Sequence, residues 1–512
     1  HEAPNTRWYS GAGIYRSVYL KELNKTHINT NGIYISTAKN ADKWNLDIQT
    51  EIVGLNSKAI LKHTLIDENG DVVLLNERVL NPTLNSSDNI TIVDDVLKVN
   101  SPKLWDLEEP NLYMLWTEII DEDGNLLDDN SEDFGFREIK FDTDKGFFLN
   151  GKHVKINGVC LHHDLGALGS AVNYKATQRQ LEIMKEMGVN GVRTSHNMPS
   201  TELVELCDRM GILLDNEAFD MWEMPKNKYD YGRFFNDWYK KDVESWIRRD
   251  RNHPSVIMWS IGNEIYDTHH SPRGLQITKM LKEEVLKHDP RQNAYATIGS
   301  NYIEWDRAQE CSDQLTLSGY NYAERLYDEH HLKYPNWYIY GSETAARVQS
   351  RGVYHFPAKA CFKTHEDLQC SNLENCREGL ADRTLQTSII ADRDCEFSSG
   401  QFIWTGIDYL GEPSPYFTKN SYYGQADTAG FLKDSYYCYQ ASWTEKPVLH
   451  LFPHWDFNDG QLIDVMAYSN APMVELFVNG VSKGVQEVDV KNGDKLNAHW
   501  VVPYEKGEIK AV

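Results

Sequence analysis

The first part of the chain alternates apolar and polar residues in short runs. Between about residues 26 and 140 these runs, of which 44–52 and 59–66 are examples, are separated by turn signals such as Asp67-Glu-Asn-Gly70 and Asp121-Glu-Asp-Gly124. A period of two residues is typical of strands with one buried face. About 110 residues of this kind suit a seven-stranded sandwich. We therefore predict an immunoglobulin-like β-sandwich over residues 27–139.

After residue 147 the pattern changes to strands that alternate with helices. A strand-like run at 154–159 precedes a helical pattern at 177–187, and strand 191–195 precedes helix 201–210. Gly188 and Gly211 follow these helices as expected of C-terminal caps. This alternation indicates parallel strands, and around 300 residues of it is the size of a (β/α)8 TIM barrel. We predict the barrel over residues 140–444.

From residue 446 the alternating pattern returns, which predicts a partial C-terminal immunoglobulin-like β-sandwich at 445–512. A chain of 512 residues is too long for one core. The predicted fold class is therefore multidomain: a TIM barrel with flanking immunoglobulin-like β-sandwich domains.

Composition narrows the range of partners. The net charge of −24 argues against nucleic acid and anionic membrane surfaces. No apolar stretch of about 18 residues is present, so no membrane helix is expected. The polar start His1-Glu-Ala-Pro does not resemble a signal peptide, and we expect the chain to begin within a domain. Oligomeric state is open, and a homo-oligomer is compatible with the sequence.

The cysteines form no metal pattern. None of the eight belongs to a Cys-x-x-Cys pair or a Cys/His motif. Four of them lie between residues 361 and 395, which permits a local disulfide, but we favour a reduced protein. A cytoplasmic or periplasmic bacterial location is the interpretation we prefer.

Two glutamates carry the functional hypothesis. Glu264 closes the apolar run 254–264, and Glu343 closes the run 337–343. Barrel enzymes place their chemistry at the carboxyl ends of the strands. Hydrolysis of a glycosidic bond requires two carboxylates there. A single strand-end carboxylate also caps helices or pairs with arginine, so it is the pair that favours catalysis.

Five stretches of the chain resemble glycoside hydrolase family 2, which contains β-galactosidases, β-glucuronidases and β-mannosidases. Residues 249–264, Arg-Asp-Arg-Asn-His-Pro-Ser-Val-Ile-Met-Trp-Ser-Ile-Gly-Asn-Glu, are similar to its acid/base signature. Residues 151–164, 191–197 and 401–415 resemble its first, third and eighth barrel-strand regions. Residues 7–16 resemble the junction that leaves its N-terminal sandwich. Residues 1–26 are accordingly interpreted as a remnant of an N-terminal jelly-roll sugar-binding domain.

The resemblance implies roles for the site residues. Glu264 would be the general acid/base and Glu343 the nucleophile of a retaining, exo-acting enzyme with a covalent glycosyl intermediate. Their carboxyl groups would then lie about 5–5.5 Å apart. The remaining candidates would bind the sugar or tune the nucleophile: Asn263, Tyr322, Trp404, His162, His196, Asp408 and Glu412. Each histidine could instead be a core imidazole bonded to a backbone carbonyl, and Trp404 could be plain barrel packing.

Two positions of this chain differ from the metal-dependent members of the family in a way that argues against a metal site. Trp222 and Ala346 stand where the large metal-dependent members carry histidines. An indole cannot coordinate Mg²⁺, which prefers oxygen ligands. We expect neither a metal nor another cofactor.

The substrate is the least determined feature. No Asn-x-Lys sequence, which β-glucuronidases use for the sugar carboxylate, lies between Glu343 and Trp443. An unpaired buried charge costs several kcal/mol, so a neutral sugar is favoured unless Arg7, Lys419 or Arg351 reaches the pocket. A terminal β-D-galactoside is the leading hypothesis, and a β-glucuronide or β-mannoside is the alternative. A non-catalytic carbohydrate-binding protein is the alternative of a different class.

Overall fold

The computed structural model describes residues 2–82, 89–360, 368–376 and 384–512. A closed barrel forms the centre of the molecule, with β-rich units before and after it in the chain. Residues 2–26 contain no strand or helix, but Trp8 forms an isolated bridge with Gly411 beyond the last barrel strand.

The first β-rich unit packs two antiparallel sheets against each other. Its inward residues alternate along the strands, as Leu46, Ile48 and Ile52 do, because successive side chains of a strand point to opposite faces. In the described residues one sheet has the order β1-β2-β5 and the other β4-β3-β6-β7. The strands are β1 (His27–Asn40), β2 (Lys43–Val53), β3 (Ala59–Ile66), β4 (Val72–Leu80), β5 (Ile90–Asn100), β6 (Tyr113–Asp121) and β7 (Leu126–Phe134).

A small antiparallel sheet closes the amino end of the barrel. It consists of β8 (Ile139–Asp142), β9 (Gly146–Leu149) and β10 (Lys152–Val154). Phe141 and Phe147 lie in one buried cluster with Ile156, Leu213 and Leu317, each of which begins a barrel strand. The amino end is therefore packed, and the carboxyl end is the face left for a site.

The barrel follows the predicted alternation. Eight parallel strands close it in chain order: β11 (Ile156–Leu161), β12 (Gly191–Thr194), β13 (Leu213–Glu217), β14 (Val256–Asn263), β15 (Tyr295–Ser300), β16 (Leu317–Asn321), β17 (Tyr338–Thr344) and β18 (Ser398–Ile403). The connecting helices are α1 (Tyr174–Glu186), α2 (Thr201–Met210), α3 (Phe235–Asp250), α4 (Asp267–His270), α5 (Arg273–His288), α6 (Asp306–Leu315), α7 (Tyr327–Lys333), α8 (Leu385–Arg393) and α9 (Asp434–Trp443).

Local sequence explains the helix ends. The Ser200 side chain accepts a hydrogen bond from Leu203 N, and Gly211 ends α2 with φ +63°, a conformation that glycine adopts without steric cost. The predicted order of one strand is wrong: residues 191–194 form the second barrel strand, not the third. β12 is hydrogen-bonded between β11 and β13, and motif resemblance alone does not count strands.

The last β-rich unit contains two further sheets in the described residues, ordered β19-β20-β23 and β22-β21-β24. The strands are β19 (Leu449–Phe452), β20 (Leu462–Ser469), β21 (Met473–Val478), β22 (Val481–Glu487), β23 (Asn497–Pro503) and β24 (Ile509–Ala511).

Among the described residues, no helix is both long and apolar enough to cross a membrane. Cys160, Cys207, Cys311, Cys395 and Cys438 carry free thiols. Cys361, one of the four cysteines for which a local disulfide was considered, lies outside the described residues.

Candidate active site

The two glutamates lie at the carboxyl ends of two strands of the same barrel, β14 and β17. Glu264 directly follows β14, and its backbone N–H donates to Gly299 O of β15 at 2.8 Å. Its φ of +47° places it outside the regular strand conformation. Glu343 lies within β17 and is 4% exposed, whereas Glu264 is half-buried. The two carboxylates therefore differ in access to water.

Glu343 receives two strong donors. Arg193 Nη1 donates to its Oε1 at 2.9 Å, and the Tyr322 hydroxyl donates to its Oε2 at 2.9 Å. Burial raises the pKa of Glu343 to about 7, an effect that Arg193 and Tyr322 oppose and that the charge of Glu264 reinforces. Its two donors favour the ionised form, which is the form a nucleophile needs.

Arg193 joins four strands at the base of the site. Besides Glu343, it donates to Glu217 Oε2 at 2.6 Å and to Asn263 Oδ1 at 3.0 Å. Although burial opposes the charge, Glu217 and the other acidic groups around it raise the pKa of this fully buried guanidinium. Arg193 therefore stays cationic and fixes β12, β13, β14 and β17 to one another.

Asn321 holds the acid/base candidate. Its Nδ2 donates to Glu264 Oε1 at 3.0 Å and to Asn263 Oδ1 at 3.1 Å. Its own Oδ1 accepts from the Ser342 hydroxyl at 2.6 Å. One amide at the end of β16 thus connects the Glu264 side of the pocket with the residue before Glu343.

Aromatic rings line the side of the pocket next to strands 8, 1 and 2. The rings of Trp404 and His196 stack with parallel planes at 5.2 Å, and His162 lies against Trp8 at 4.8 Å. His196 Nδ1 is 2.7 Å from Glu217 Oε1. Burial lowers the pKa of His196 well below its ordinary value, so the ring is neutral. Since a carboxylate only accepts, Nδ1 carries the hydrogen and Nε2 is an acceptor.

A group of charges lies at the rim. Asp220 Oδ1 accepts from Lys226 Nζ at 2.7 Å and from Asn263 Nδ2 at 2.9 Å, and Arg7 Nη2 lies 3.4 Å away. Burial opposes the Asp220 charge, but Lys226 and Arg7 lower the pKa of this carboxyl. Arg7 also lies 3.6 Å from Glu412. The N-terminal segment thus brings a cation to the rim of the site.

Comparison with known proteins identifies the family. Residues 141–420, more than half of the chain, match the profile of glycosyl hydrolases family 2, TIM barrel domain, and residues 26–137 match the profile of glycosyl hydrolases family 2. The chain belongs to glycoside hydrolase family 2. Residues 460–512 match a domain of unknown function.

The relatives within family 2 are named as enzymes that act on different sugars. A β-galactosidase of Bacteroides ovatus, BoGH2A, is 39% identical over 100% of this chain and 64% of its own length. A β-glucuronidase of Bacteroides fragilis is 28% identical over 77% of this chain and 56% of its own length. A crystal structure of a family 2 member from Bacteroides cellulosilyticus is 32% identical, with TM-score 0.87, and covers 100% of this chain and 66% of that one. The chain thus spans less than two thirds of the length of each of these relatives.

Most of the site residues that the family resemblance implied lie together. Glu264, Glu343, Asn263, Tyr322 and His196 belong to the hydrogen-bonded network, and His162 and Trp404 belong to the adjoining ring cluster. Glu412 lies at the rim, where it accepts from the Tyr409 hydroxyl at 2.6 Å.

Asp408 is engaged elsewhere. Its Oδ1 accepts from Lys433 Nζ at 2.7 Å and from Gly424 N at 2.8 Å, and the side chain is buried. Burial raises the pKa of Asp408 to about 6 and lowers the pKa of Lys433. These contacts make Asp408 part of a buried ion pair between the loop after β18 and Lys433, the residue that precedes α9.

The positions that suggested the loss of a metal site have other partners. Trp222 Nε1 donates to Ile261 O at 2.8 Å within the core, and Ala346 is buried. Within the residues that the structure describes, no group of three His, Cys, Asp or Glu side chains is arranged to hold a metal ion. Of the other cations considered at the sequence level, Arg351 bonds to Asp427 at 2.9 Å and Lys419 is exposed.

Sequence reasoning gave no roles to Arg193, Glu217, Asn321 and Lys226. The sequence did contain a signal for Arg193 and Glu217. Arg193 is a charged residue in the middle of an otherwise uncharged four-residue strand that is fully buried. Glu217 is a carboxylate at the end of β13, a position similar to that of Glu264 after β14. Asn321 also ends a strand, β16, but an amide there is a weaker signal than a carboxylate. Lys226 had no comparable signal, because it lies in the loop after β13 and its contact with Asn263 O depends on the fold.

Proposed function

We propose that this protein is a retaining, exo-acting glycoside hydrolase that removes terminal β-D-galactosyl residues. The observation that carries the proposal is the unequal pair of carboxylates. Glu343 is buried between Arg193 and Tyr322, while Glu264 next to it is half-buried and bonded to an amide. A nucleophile requires the first setting, and a residue that exchanges protons with the leaving group and with water requires the second.

The proposed reaction has two steps, with a task for each of these residues. In the first step the Glu343 carboxylate attacks the anomeric carbon while Glu264 gives its proton to the departing glycosidic oxygen. In the second step Glu264 takes a proton from a water that attacks the same carbon, and the Glu343 ester bond breaks. Arg193 and Tyr322 orient Glu343 and stabilise its negative charge when it is released.

An exo mode of action is supported by the closed side of the pocket. Trp8, His162, Trp404 and Tyr409 are all buried and pack ring against ring beyond the catalytic pair. A wall of this kind leaves room for a terminal sugar unit rather than for a continuing chain. Trp404 supplies a flat apolar surface suited to one face of that sugar.

A neutral sugar is favoured by the local balance of charge. The cations Arg193, Arg7 and Lys226 are each already within 4 Å of a carboxylate. Six carboxyl groups surround these three cations: Asp215, Asp220, Glu217, Glu264, Glu343 and Glu412. A substrate carboxylate would enter a region with excess negative charge, which costs free energy in a partly dry pocket. The 39% identity to a named β-galactosidase supports the same choice.

A β-glucuronidase is the second candidate, and Arg7 is the observation that favours it. Its guanidinium lies at the rim with 36% of the side chain exposed and within electrostatic range of both Glu264 and Glu343. A uronate could displace Glu412 from this cation. The alternative requires Arg7 to exchange one carboxylate partner for another.

A panel of nitrophenyl β-galactoside, β-glucuronide and β-mannoside tests the proposal. We expect the galactoside to be cleaved fastest, and Glu343→Gln to abolish cleavage while the protein stays folded. Arg7→Gln separates the two candidates, because only a glucuronidase would lose its preferred substrate through loss of this cation. Preference for the glucuronide would contradict the proposed substrate. Undiminished cleavage by Glu343→Gln would contradict the proposed mechanism. Sugar binding without turnover would show that the protein is not a hydrolase.

A further inference from the structure

The position of Glu264 defines where a leaving group lies. A general acid must face the glycosidic oxygen, so the part of the substrate that departs lies beyond Glu264, away from the wall formed by Trp8 and Trp404. Glu264 N is bonded to Gly299 O, which places the loops after β14 and β15 on that side. What these loops present there determines which leaving groups are bound.

Four aromatic side chains, from the loop after β14, from α4 and from the loop after β15, form a cluster, which we call the aromatic platform: Tyr266, His269, Tyr302 and Trp305. The ring of His269 lies 3.6 Å from that of Tyr302, and Trp305 lies 5.4 Å from Tyr302 and 5.1 Å from His269. Tyr266 completes the platform at 6.4 Å from Tyr302. Burial and the neighbouring Tyr266 and Glu264 raise the pKa of Tyr302, which places this ring in electrostatic range of the acid/base candidate.

The platform is not simply part of the core. Ile303 is fully buried and anchors its loop, while Trp305, two residues on, is 48% exposed. Trp337, by contrast, is a fully buried indole that packs in the same cluster as Ile303. An indole held against two other rings with half its surface open is suited to bind a further ring.

The platform is also uncharged. Burial lowers the pKa of His269 to about 4, with the neighbouring His270 acting in the same direction, so its ring is neutral near pH 7. An apolar, neutral surface attracts neither a uronate nor an ammonium group by charge. It suits the C–H face of a pyranose ring, whose hydroxyl groups stay at the edge in water.

We propose that the aromatic platform binds the first sugar on the leaving-group side, so that the substrates are β-galactosides of a second pyranose. This inference rests on the proposed glycosidase function and adds the class of aglycone to it. Trp305 would be the main specificity-determining residue, because it offers the largest exposed ring surface of the four.

The test compares leaving groups with and without a ring on the same glycone. We would measure kcat and KM of Trp305→Ala for lactose, for nitrophenyl β-galactoside and for β-galactosyl fluoride, whose leaving group has no ring. Trp238→Ala is the matched control, since Trp238 is also 48% exposed but lies on the outer helix α3. Trp305→Tyr keeps a ring at the position and checks that the site folds.

We expect Trp305→Ala to lower kcat/KM for lactose roughly 5- to 10-fold, mainly through KM, as loss of an aromatic contact implies. Hydrolysis of the fluoride should be unchanged, Trp305→Tyr should retain most lactose activity, and Trp238→Ala should match the wild type. An equal loss of kcat/KM on lactose and on the fluoride, or no loss on lactose, would contradict the proposal that the platform binds the leaving-group sugar. A loss confined to the nitrophenyl substrate would show that the platform binds aryl leaving groups, which would contradict the proposed pyranose leaving group.

Failure of the underlying function gives a different result. If the wild type does not hydrolyse β-galactosyl fluoride, the galactosidase proposal fails regardless of Trp305. In that case the comparison of Trp305→Ala with the wild type is repeated with the sugar that the nitrophenyl panel selects, joined to a pyranose and to fluoride. Its result decides whether the platform binds the leaving-group sugar.

Discussion

The Tyr322 hydroxyl donates a hydrogen bond to Glu343 Oε2 at 2.9 Å, while Arg193 binds the other oxygen of the same carboxylate. Tyr322 follows β16 with φ +55°, and its backbone N–H donates to Glu343 O at 2.8 Å. Both its backbone and its side chain are thus bonded to Glu343. Hydrogen bonds to a charged group contribute about 1.5–3 kcal/mol, so this contact matters for which protonation state dominates.

We expect Tyr322→Phe to shift the acid limb of kcat/KM to higher pH. Glu343 must be ionised to attack, burial already raises its pKa to about 7, and loss of a donor that stabilises the ionised form raises it further. Activity should therefore fall more at pH 6 than at pH 8, by about 10-fold or more where the limb moves. Tyr409→Phe removes a buried hydroxyl that donates to Glu412 instead and should leave the limb in place. An unshifted limb in Tyr322→Phe would contradict this role.

Asp408→Asn should destabilise the protein and leave the KM for galactoside unchanged. The substitution leaves Lys433, which is fully buried at its side chain, without its charged partner. Breaking a buried pair in this way costs about 3–5 kcal/mol. Urea unfolding measures the loss, and the double variant Asp408→Asn/Lys433→Met should recover most of it. Asp427→Asn at the more exposed pair with Arg351 is the control, with an expected change within about 1 kcal/mol. A raised KM in Asp408→Asn with normal stability would place Asp408 at the sugar after all.

Stability should decline between about pH 6.5 and pH 9 because of His253. Burial opposes its charge, but the Asp208 carboxylate raises the pKa of this imidazole from 6.5 to about 9. The contribution of this pair is fully present below pH 6.5 and is lost as the pH rises through 9, about 3 kcal/mol in total. His253→Gln should unfold at a lower temperature at pH 6 and show a flatter profile. The exposed His454→Gln should follow the wild type, and a profile of His253→Gln as steep as that of the wild type would exclude the pair as the cause.

Hydrolysis should survive prolonged treatment with EDTA. Trp222, at the position where the family resemblance implied a possible metal ligand, has an indole that cannot coordinate Mg²⁺ and donates to Ile261 O instead. The measurement is the rate of galactoside cleavage before and after chelation and dialysis, with added Mg²⁺ as the control. Loss of activity that Mg²⁺ restores would show that a metal is needed.

The elements that sequence predicted well are those with local signals. Alternation of polar and apolar residues located the strands, and the strand-end rule located Glu264 and Glu343 without tertiary information. The rule would also have found Glu217 if it had been applied to every strand. It could not foresee that Asp408 bonds to Lys433, because that lysine lies in another segment that reaches Asp408 only in the folded protein.

The contacts of Arg193 and Asn321 show the same limit. Each links residues from three or more barrel strands, and their partners are set by the order and spacing of strands around the barrel. The placement of Arg7 was also beyond sequence reasoning, since it depends on the path of residues 2–26 across the catalytic face.

The bridge between Trp8 and Gly411 has a consequence for the order in which the enzyme is built. The first sandwich and all eight barrel strands lie between these two residues in the chain. During synthesis the segment around Trp8 leaves the ribosome before the barrel, yet its docking place exists only after the last barrel strand has emerged. The pocket wall is thus assembled late, through a contact of very long sequence separation that is slow to form. A nascent chain would be folded in most of its parts before it could hold a sugar.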